Sequence, residues 1–515
     1  MTSSETRPSS APAWAALLAV AGAKLALHLA LANRYGYFRD ELYFLDCGRN
    51  LAWGYVDAAP AVGLYAKAAL LLGGPLPVLR AIAALAGAGV VLLTGLLAWR
   101  LGGSRFAQAL ASLAALATPI LLAVSSLLSM NVFEPLFWTG CAYVLVRLAD
   151  GAPPRLWLLF GLLAGAGLLN KHSTAFFGAA VLAGVVLSPL RRHLATPWPW
   201  AGAGVALLVF LPNLLWQAAH GFPTLEDLRN VARTGKNVVL GPGPFVLQQV
   251  LGQGPHLLPL WLGGVVWLLL ARSGRHRALG SAFLVFFVLM FAMKAKAYYL
   301  APIYPMLLAA GAVGFDELHG RSRVLAARAW PRAVAAAWVV LFTLPGAPMV
   351  LPLLAPERLV AYMERIGFAP AKTEVAHAGP LPQVFGDQFG WPELVSEVAR
   401  VWNGLSPEER ARGAIFANNY GEAGAINLFG PALGLPRAIS AHQNHFFWGP
   451  RGFQGDVLVV LQDDRESLEG LCASVEEAGR HEHPWGMAEE NGPIWVCRGL
   501  KTPLPELWPR LKKWN

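Results

Sequence analysis

The sequence YGYFRDELYFLDCGRNLAWGYVDAAP, residues 35–60, lies between two apolar segments that are each long enough to cross a bilayer. It contains the adjacent acids Asp40 and Glu41, with further charges of both signs around them. Carboxylates beside the hydrocarbon region of a membrane lose solvation free energy unless they are paired or take part in function. We therefore expect this charged loop, bounded at residues 34–76, to carry the chemistry of a membrane-embedded chain.

The composition of the whole chain excludes an ordinary soluble protein. Of its 515 residues, 55% are hydrophobic and 14% are charged, whereas soluble domains carry about 25% charged residues. The formal net charge is +10, but many basic residues lie in short loops between apolar runs. That distribution indicates membrane topology and contact with anionic membrane lipids rather than nucleic acid binding. We predict a polytopic α-helical membrane protein with no nucleic acid partner.

A scan with apolar windows of about 20 residues predicts about eleven transmembrane helices. Residues 1–12, MTSSETRPSSAP, are polar and predict a disordered N-terminal tail. The apolar run after this tail lacks a small-residue cleavage site, which predicts a retained first helix. The predicted segments are 13–33, 77–99, 105–127, 132–148, 155–170, 173–190, 198–217, 250–271, 278–293, 297–314 and 331–355.

Basic residues in the short turns predict the orientation of the chain. If the amino terminus is cytoplasmic, each cytoplasmic turn contains arginine, as the positive-inside rule requires. The same alternation places the 34–76 loop and the carboxyl-terminal part on the extracytoplasmic face. The arginines of the predicted cytoplasmic turns are Arg100, Arg105, Arg147, Arg155, Arg191, Arg192, Arg272, Arg275, Arg277, Arg321, Arg323, Arg328 and Arg332.

The composition changes to that of a soluble domain at about Pro356. Short β-prone runs alternate from there with helix-like stretches, which predicts an extracytoplasmic α/β domain over residues 356–515, after a transmembrane region at 13–355. Cys472 and Cys497 both lie in this domain, so one disulfide is compatible with the sequence and none is required. The predicted strands are 414–418 and 457–462, and the helix-like stretches are 392–403 and 465–477.

Residues 418–422, Asn-Asn-Tyr-Gly-Glu, follow the end of a predicted strand. Ligands often bind at that position in α/β domains. A turn that caps a helix explains the same residues equally well. Both interpretations stay open on the sequence alone.

The triplet Arg39-Asp40-Glu41 has the composition that group transfer needs. A carboxylate can accept the proton of an acceptor hydroxyl or hold a cation, and cationic groups can stabilise a departing phosphate. Adjacent acids in an extended loop point in different directions, so we expect only one of them to be the base. An amphipathic helix lying on the membrane, with solvated charges, is the alternative.

Polar residues also occur at the predicted outer ends of two spanning segments. Glu134 lies beside an apolar face, whereas Asn131 near it is suited to cap a helix. Lys171 and His172 occupy a tight turn, where they can donate to a phosphate. The structural alternative is that any tight turn between spans is polar.

Two later segments add further candidates for contact with substrate. The long outer loop at residues 220–244 contains Arg229 and Arg233, which are the better ligand candidates among its charges. The alternating charges of this loop also suit a solvated helix. At residues 294–305 two lysines precede a tyrosine pair, and two prolines then interrupt a spanning helix, which leaves room for a lipid phosphate. An aromatic belt with snorkelling lysines explains the first half of that segment too. The candidates there are Lys294, Lys296, Tyr298, Tyr299 and Tyr304.

Together these motifs resemble the bacterial members of glycosyltransferase family 39, which are related to protein O-mannosyltransferases and to the aminoarabinose transferase that modifies lipid A. The motifs are GYFRDELYFLDCGRNLAWGYVD, SMNVFEPLFW, GLLNKHS, PNLLWQ..HGFPTLE and KAYYLAPIYP, followed by FGWPELV, ANNYGEAGA and FFWGP near the carboxyl terminus.

The resemblance implies a membrane protein of the GT-C fold that transfers a sugar from a polyprenyl-phosphate donor, with inversion, at the outer face of the bacterial plasma (inner) membrane. A lipid, a glycan or a protein fits as acceptor. The family pattern implies that Asp40 is the base, that Glu41 supports it and that Asp57 is a second acidic position. Residues 294–299 match the region expected near the donor phosphate. No cofactor is implied with certainty, and a divalent cation is an open alternative.

One departure from the family pattern concerns the residues after Asp57. The family usually has His-Pro-Pro there, whereas this chain has Ala58-Ala59-Pro60. Another basic residue, such as Lys171 or His172, then has to replace the lost contact, or activity is altered. The rival functions are a transporter or flippase of lipid-linked saccharides and a non-catalytic GT-C-like binding protein.

Overall fold

The computed structural model describes residues 11–270, 274–321, 327–369, 374–375 and 378–514. Most of these residues are helical, and four strands form one sheet. Of the predicted disordered tail, residues 1–10 lie outside the described residues, as do Arg272 and Arg323 of the predicted turns.

The described helices are α1 (Trp14–Leu31), α2 (Arg39–Arg49), α3 (Ala61–Leu71), α4 (Leu76–Arg100), α5 (Arg105–Ala117), α6 (Pro119–Val124), α7 (Met130–Ala149), α8 (Leu156–Asn170), α9 (Thr174–Val186), α10 (Pro197–Ala219), α11 (Pro223–Thr234), α12 (Pro242–Gln253), α13 (Leu258–Leu270), α14 (Arg277–Ala292), α15 (Tyr304–Arg321), α16 (Trp330–Thr343), α17 (Pro356–Ile366), α18 (Gln383–Gly386), α19 (Trp391–Asn403), α20 (Pro407–Arg412), α21 (Tyr420–Phe429), α22 (His445–Trp448), α23 (Arg465–Leu471) and α24 (Leu504–Leu507). Short 3-10 segments lie at Pro189–Ala195, Pro255–Leu257, Ala297–Ile303, Ala347–Met349, Gly430–Leu433, Ala488–Glu490 and Trp508–Arg510. The strands are β1 (Gly413–Phe416), β2 (Val457–Leu461), β3 (Cys472–His481) and β4 (Gly492–Leu500).

The chain forms two compact units. One, which we call the helical unit, contains most of the long apolar helices. The other, the mixed unit, contains the sheet together with α2, α3 and α11. The helical unit comprises Met1–Ala32, Pro77–Leu215 and Val239–Leu353, and the mixed unit comprises Asn33–Leu76, Trp216–Val238 and Leu354–Asn515.

The predicted spanning segments all coincide with helices or with pairs of consecutive helices. By length and hydropathy, five helices among the described residues are able to cross a membrane, or up to seven if each of two sharply bent pairs forms one span. The remaining apolar helices are shorter than a bilayer requires by themselves. The helical membrane fold class is therefore confirmed, while the count of eleven stays a prediction. The five long segments are Trp14–Leu31, Leu76–Arg100, Met130–Ala149, Pro197–Ala219 and Ala297–Arg321.

The sheet of the mixed unit has the strand order β1-β2-β4-β3. Strands β1 and β2 are parallel, whereas β4 runs antiparallel to both β2 and β3. The predicted strands correspond to β1 and β2, which confirms the α/β character of this part. The helix expected at 465–477 is only half right, because α23 ends at Leu471 and β3 follows. Cys472 and Cys497 join β3 to β4 through a disulfide.

Helix α2 occupies the charged stretch where a loop was expected. It begins at Arg39 because the Glu41 carboxylate accepts a hydrogen bond from the Phe38 backbone N–H at 2.9 Å. Acids in its first turn and Arg49 in its last complement the helix dipole. Leu42 packs in the core of the mixed unit. The alternative of an amphipathic helix with its apolar face on the membrane is therefore wrong. Pro60 occupies the N-cap position of α3.

Candidate active site

Asp40 is a half-buried carboxylate at the second position of α2. Its Oδ1 atom accepts a hydrogen bond of 2.9 Å from the Tyr420 hydroxyl. Within the described part of the chain, no other hydrogen bond reaches this side chain, so Oδ2 is left with unused acceptor capacity. This geometry suits a group that receives a proton.

Glu41 differs from its neighbour because it is fully buried. One of its oxygens is engaged by the Phe38 N–H at the start of α2. The two adjacent acids therefore have different surroundings, as expected if only one is the base. The structure gives Glu41 a role in holding the helix that presents Asp40.

Arg39 is surrounded by carboxylates of the mixed unit. Its guanidinium donates to Glu489 at 2.5 Å and lies 5.8 Å from the centre of the Tyr420 ring. Because its charge is matched by protein acids, Arg39 is bound in an ion-pair network, and its predicted contact with substrate stays untested. The other acids within ion-pair distance are Glu490 at 3.8 Å, Glu374 at 3.9 Å and Asp387 at 3.9 Å.

Asp387 is the most deeply buried of these acids, with 1% of its surface exposed. Burial raises its pKa to about 8, although the nearby Arg39 opposes the change. The sequence contains no spacing signal for this network, because its acids lie hundreds of residues from Arg39. Sequence reasoning therefore missed it.

Asp57 accepts a hydrogen bond of 2.8 Å from the Tyr43 hydroxyl. Burial raises the pKa of Asp57 to about 7, and the charge of Asp227 adds to this effect. The Tyr43 ring lies 4.8 Å from the Tyr420 ring. The two predicted acids, Asp40 and Asp57, are thus brought into one unit and connected through a pair of neighbouring tyrosines.

The segment Asn418–Glu422 starts helix α21. The Asn419 side chain accepts hydrogen bonds from the N–H groups of Gly421 at 2.8 Å and Glu422 at 3.0 Å. The helix-cap interpretation of these residues is therefore confirmed. Their connection to Asp40 through Tyr420 was missed, because the two residues are 380 positions apart.

A second polar cluster lies in the helical unit around Lys171. The Lys171 ammonium contacts Glu134 at 3.1 Å and Asn131 at 2.9 Å. It also lies 4.5 Å from the centre of the Tyr299 ring and 5.8 Å from that of Tyr298. Four predicted site residues are thus brought together, although the charge of Lys171 is paired with a buried acid.

Two smaller features of this cluster differ from or extend the sequence prediction. Ser129, not Asn131, caps α7, because its hydroxyl accepts from the Asn131 N–H at 3.2 Å. That arrangement leaves the Asn131 amide free to accept from Lys171. Ser173 donates a hydrogen bond to the second oxygen of Glu134.

The remaining candidates are dispersed. His172 contacts Asn213 at 3.0 Å, and Lys294 is exposed after the end of α14. Arg229 is exposed on α11, beside an open cavity of about 440 Å³ that Arg233 also lines. On the sequence these arginines were the better ligand candidates among charges expected to be mostly solvated, and no ligand contact tests them.

The proline-containing segment is interrupted as predicted. Residues Ala297–Ile303 form a 3-10 segment before α15 begins. The Gln249 side chain donates to the Ala297 carbonyl at 2.9 Å and accepts from the Tyr304 hydroxyl at 3.2 Å. Tyr304 is fully buried, so the structure gives it a packing role and leaves its predicted substrate contact untested. Lys296 beside this segment is half-buried.

No group of three or more His, Cys, Asp or Glu side chains is arranged as a metal-ligand set in the described ranges. The divalent cation expected as an alternative on the sequence stays open.

Comparisons with known proteins bear on the fold. The family model described as dolichyl-phosphate-mannose-protein mannosyltransferase matches residues 57–216. The structure of ArnT from Cupriavidus metallidurans bound to undecaprenyl phosphate is similar with a TM-score of 0.62 and 14% identity, over 95% of this chain and 98% of that one. The structure of ArnT from the same organism in the apo state is similar with a TM-score of 0.59 and 16% identity, over 94% of this chain and 97% of that one. A sequence search of curated proteins gives no match. The chain therefore has the GT-C fold of ArnT and, over residues 57–216, the sequence pattern of the mannosyltransferase family, which confirms the resemblance that its motifs indicate.

Proposed function

We propose that this chain is a membrane glycosyltransferase that moves a sugar from a polyprenyl-phosphate-linked donor to an acceptor on the outer face of the bacterial plasma membrane. The fold supports the proposal, because the similar ArnT structure holds undecaprenyl phosphate. The mannosyltransferase family match supports a sugar as the transferred group. The acceptor is a lipid, a glycan or a protein, and membrane lipids surround the helical unit.

The observation that carries the proposal is the state of Asp40. One of its oxygens is held by Tyr420 and the other has no hydrogen bond from the described residues. A fixed carboxylate with one unused oxygen is suited to general base catalysis, which contributes about 100- to 10,000-fold to a rate.

The proposed reaction is a direct displacement. Asp40 takes the proton of the acceptor hydroxyl while the oxygen of that hydroxyl attacks the anomeric carbon. The bond from that carbon to the phosphate oxygen breaks, its electron pair leaves with the polyprenyl phosphate, and the configuration inverts. Holding the reactants in line and stabilising the departing charge lower the barrier.

The donor phosphate needs a cation that is not already neutralised. Lys171 is paired with Glu134, whereas Lys294 is exposed in the described structure. The Lys294 backbone has φ +53°, a left-handed conformation that a residue with a side chain seldom adopts. Strained positions of this kind occur often at ligand sites. We assign the phosphate contact to Lys294, with the aromatic pair Tyr298 and Tyr299 following it.

The test is an Asp40→Asn variant of the purified full-length protein, supplied with labelled polyprenyl-phosphate sugar and membrane extract. We expect transfer of the label to be abolished while folding and donor binding are retained. Asp456→Asn is the matched control, because Asp456 is an exposed acid of the same unit. An active Asp40→Asn protein would refute the assignment.

The same assay separates the rival functions. A flippase moves lipid-linked saccharide across vesicle membranes without transferring the sugar. A non-catalytic binding protein, which the Ala58-Ala59 departure would favour, binds the donor but transfers nothing in its wild-type form. Sugar transfer by the wild-type protein would show that it is neither only a flippase nor only a binding protein.

A further inference from the structure

Helix α21 lies so close to α2 that two of its glycines have no room for a side chain. A Cβ atom built on Gly424 would lie 2.7 Å from the Leu42 carbonyl carbon, and one on Gly421 would lie 2.5 Å from Arg39 Cγ. Cβ atoms do not approach other atoms this closely. A side chain at position 424 would therefore displace the backbone of α2, and one at position 421 would displace the Arg39 side chain. The two helices are thereby held at a short, fixed separation.

Two side-chain hydrogen bonds connect these helices at two points along their length. The Tyr420 hydroxyl donates to Asp40 at 2.9 Å, and the Asn427 amide donates to Asp46 at 2.6 Å. The two contacts are separated by about two helical turns on each helix. Helix α21 therefore fixes both the position and the rotation of the helix that carries Asp40.

The Tyr420 side chain is itself held from several sides. Its backbone N–H donates to His442 Nδ1 at 3.2 Å, and its ring stacks on the His442 ring at 4.9 Å. The Tyr43 ring and the Arg39 guanidinium flank it as well. A side chain with these contacts has little rotational freedom, so its hydroxyl has a defined place.

We propose that Tyr420 is a positioning residue for Asp40, so that the reaction depends on a side chain from the carboxyl-terminal part of the chain. The proposal rests on the proposed role of Asp40 as the base. By holding Oδ1, the Tyr420 hydroxyl fixes the carboxylate plane and leaves Oδ2 for the acceptor hydroxyl. No proton leaves Tyr420 in this role, because burial and the charge of Asp40 raise the pKa of Tyr420 well above its ordinary value.

The same hydrogen bond stabilises the charged form of the carboxylate. Its loss should therefore change the pH dependence of the reaction. The charges of Arg39, Asp57 and Asp387 also act on the Asp40–Tyr420 pair. The Tyr43 and His442 rings contact the Tyr420 ring, and Glu490 lies within ion-pair distance of Arg39.

The experiment compares Tyr420→Phe with the wild-type full-length protein. We expect kcat to fall about ten- to hundredfold, the range for a hydrogen bond to a charged group. The acid limb of the pH profile should move to higher pH, while undecaprenyl phosphate binding should stay at the wild-type level. A purely structural role would not shift the pH profile.

Tyr37→Phe is the matched control, because its hydroxyl donates to the Gly74 carbonyl at 3.4 Å rather than to Asp40. We expect wild-type kcat and an unchanged profile for this variant. Should Tyr420→Phe fold poorly, fluorotyrosine placed at position 420 retains the ring and makes the hydroxyl a stronger donor. The acid limb should then move to lower pH.

A wild-type kcat and pH profile in Tyr420→Phe, or an unmoved acid limb with fluorotyrosine, overturns the proposal. These outcomes are distinct from failure of the proposed function, which an active Asp40→Asn protein would reveal. If Asp40→Asn is inactive while both changes at position 420 are silent, Asp40 remains the base and Tyr420 has no part in positioning it.

Discussion

Asp57 binds its proton more tightly than an aspartate in water does. The folded-state pKa is about 7, against 3.8 for the unperturbed group, mainly because the carboxyl is buried. The unfolded chain therefore releases this proton first as the pH rises. The stability that Asp57 contributes is fully present below pH 3.8 and is lost progressively as the pH rises from 3.8 to about 7.

We predict that Asp57→Asn reduces this pH dependence, because the amide cannot ionise but still accepts from the Tyr43 hydroxyl. The melting temperature of the wild type in detergent should fall more between pH 5 and pH 8 than that of the variant. Other titrating groups are common to both proteins and cancel in the comparison. Parallel pH curves for the two proteins would contradict the assigned burial of Asp57.

Individual site residues were predictable to different degrees. Asp40, Asp57 and the Lys171 turn occur in short motifs whose local composition is unusual for a membrane boundary, so the sequence indicates them. The partners that orient them are not local. Tyr420 is 380 positions from Asp40, and no pattern in a single sequence relates residues at that separation.

At the scale of elements, α2 shows why a helix was mistaken for a loop. Residues 41–48 are all buried. An amphipathic helix was the alternative interpretation of this stretch, but burial on every side depends on the segments packed around α2, and a single sequence does not indicate those contacts. The signal for the start of the helix was present, since the Glu41 carboxylate accepts from the Phe38 N–H, but the charges here were interpreted as chemistry or as solvated charges and not as a helix cap.

The contact between α2 and α21 gives a second prediction. Gly424→Ala should lower the free energy of unfolding by about 1–3 kcal/mol, since the added methyl meets the Leu42 backbone and forces the helices apart. It should also reduce transfer activity, because the separation of Tyr420 from Asp40 increases. Thermal unfolding and the transfer assay measure the two effects.

The control is Gly470→Ala, a helical glycine of α23 with open space around its Cα. That substitution should leave activity unchanged and raise stability slightly, because alanine has the higher helix propensity. Equal behaviour of the two variants would mean that the close contact of α2 with α21 is not important for stability.

At the scale of the whole molecule, composition predicted the helical membrane class, and the fold comparison confirms it. The number of spans did not follow, because several apolar helices are short or bent and length alone does not assign them. The boundary at about residue 355, drawn from composition, stays a prediction. Contacts instead group Asn33–Leu76 with Leu354–Asn515, since Leu42 packs with Trp391 and Ile426 of the same core.

This grouping predicts the result of a truncation. A chain that ends after Leu353 should leave the 33–76 segment without the core that buries Leu42, so its helices should be poorly protected. Limited proteolysis with mass spectrometry should find cleavage within 33–76 in the truncated protein and much less in the full chain under the same detergent. Equal protection would show that this segment folds without the carboxyl-terminal part.

The bond between Cys472 and Cys497 has a consequence for the cell biology of the chain. Cross-links of this kind persist in oxidising compartments and are rare where glutathione keeps thiols reduced. A reduced sheet would therefore indicate residence in the cytosol, and an oxidised one would indicate export. The two sulfur atoms thus report the side of the membrane on which the sheet matured. Thiol alkylation of the denatured chain reads this out, because two of the four cysteines react when the bond is present and all four react when it is absent.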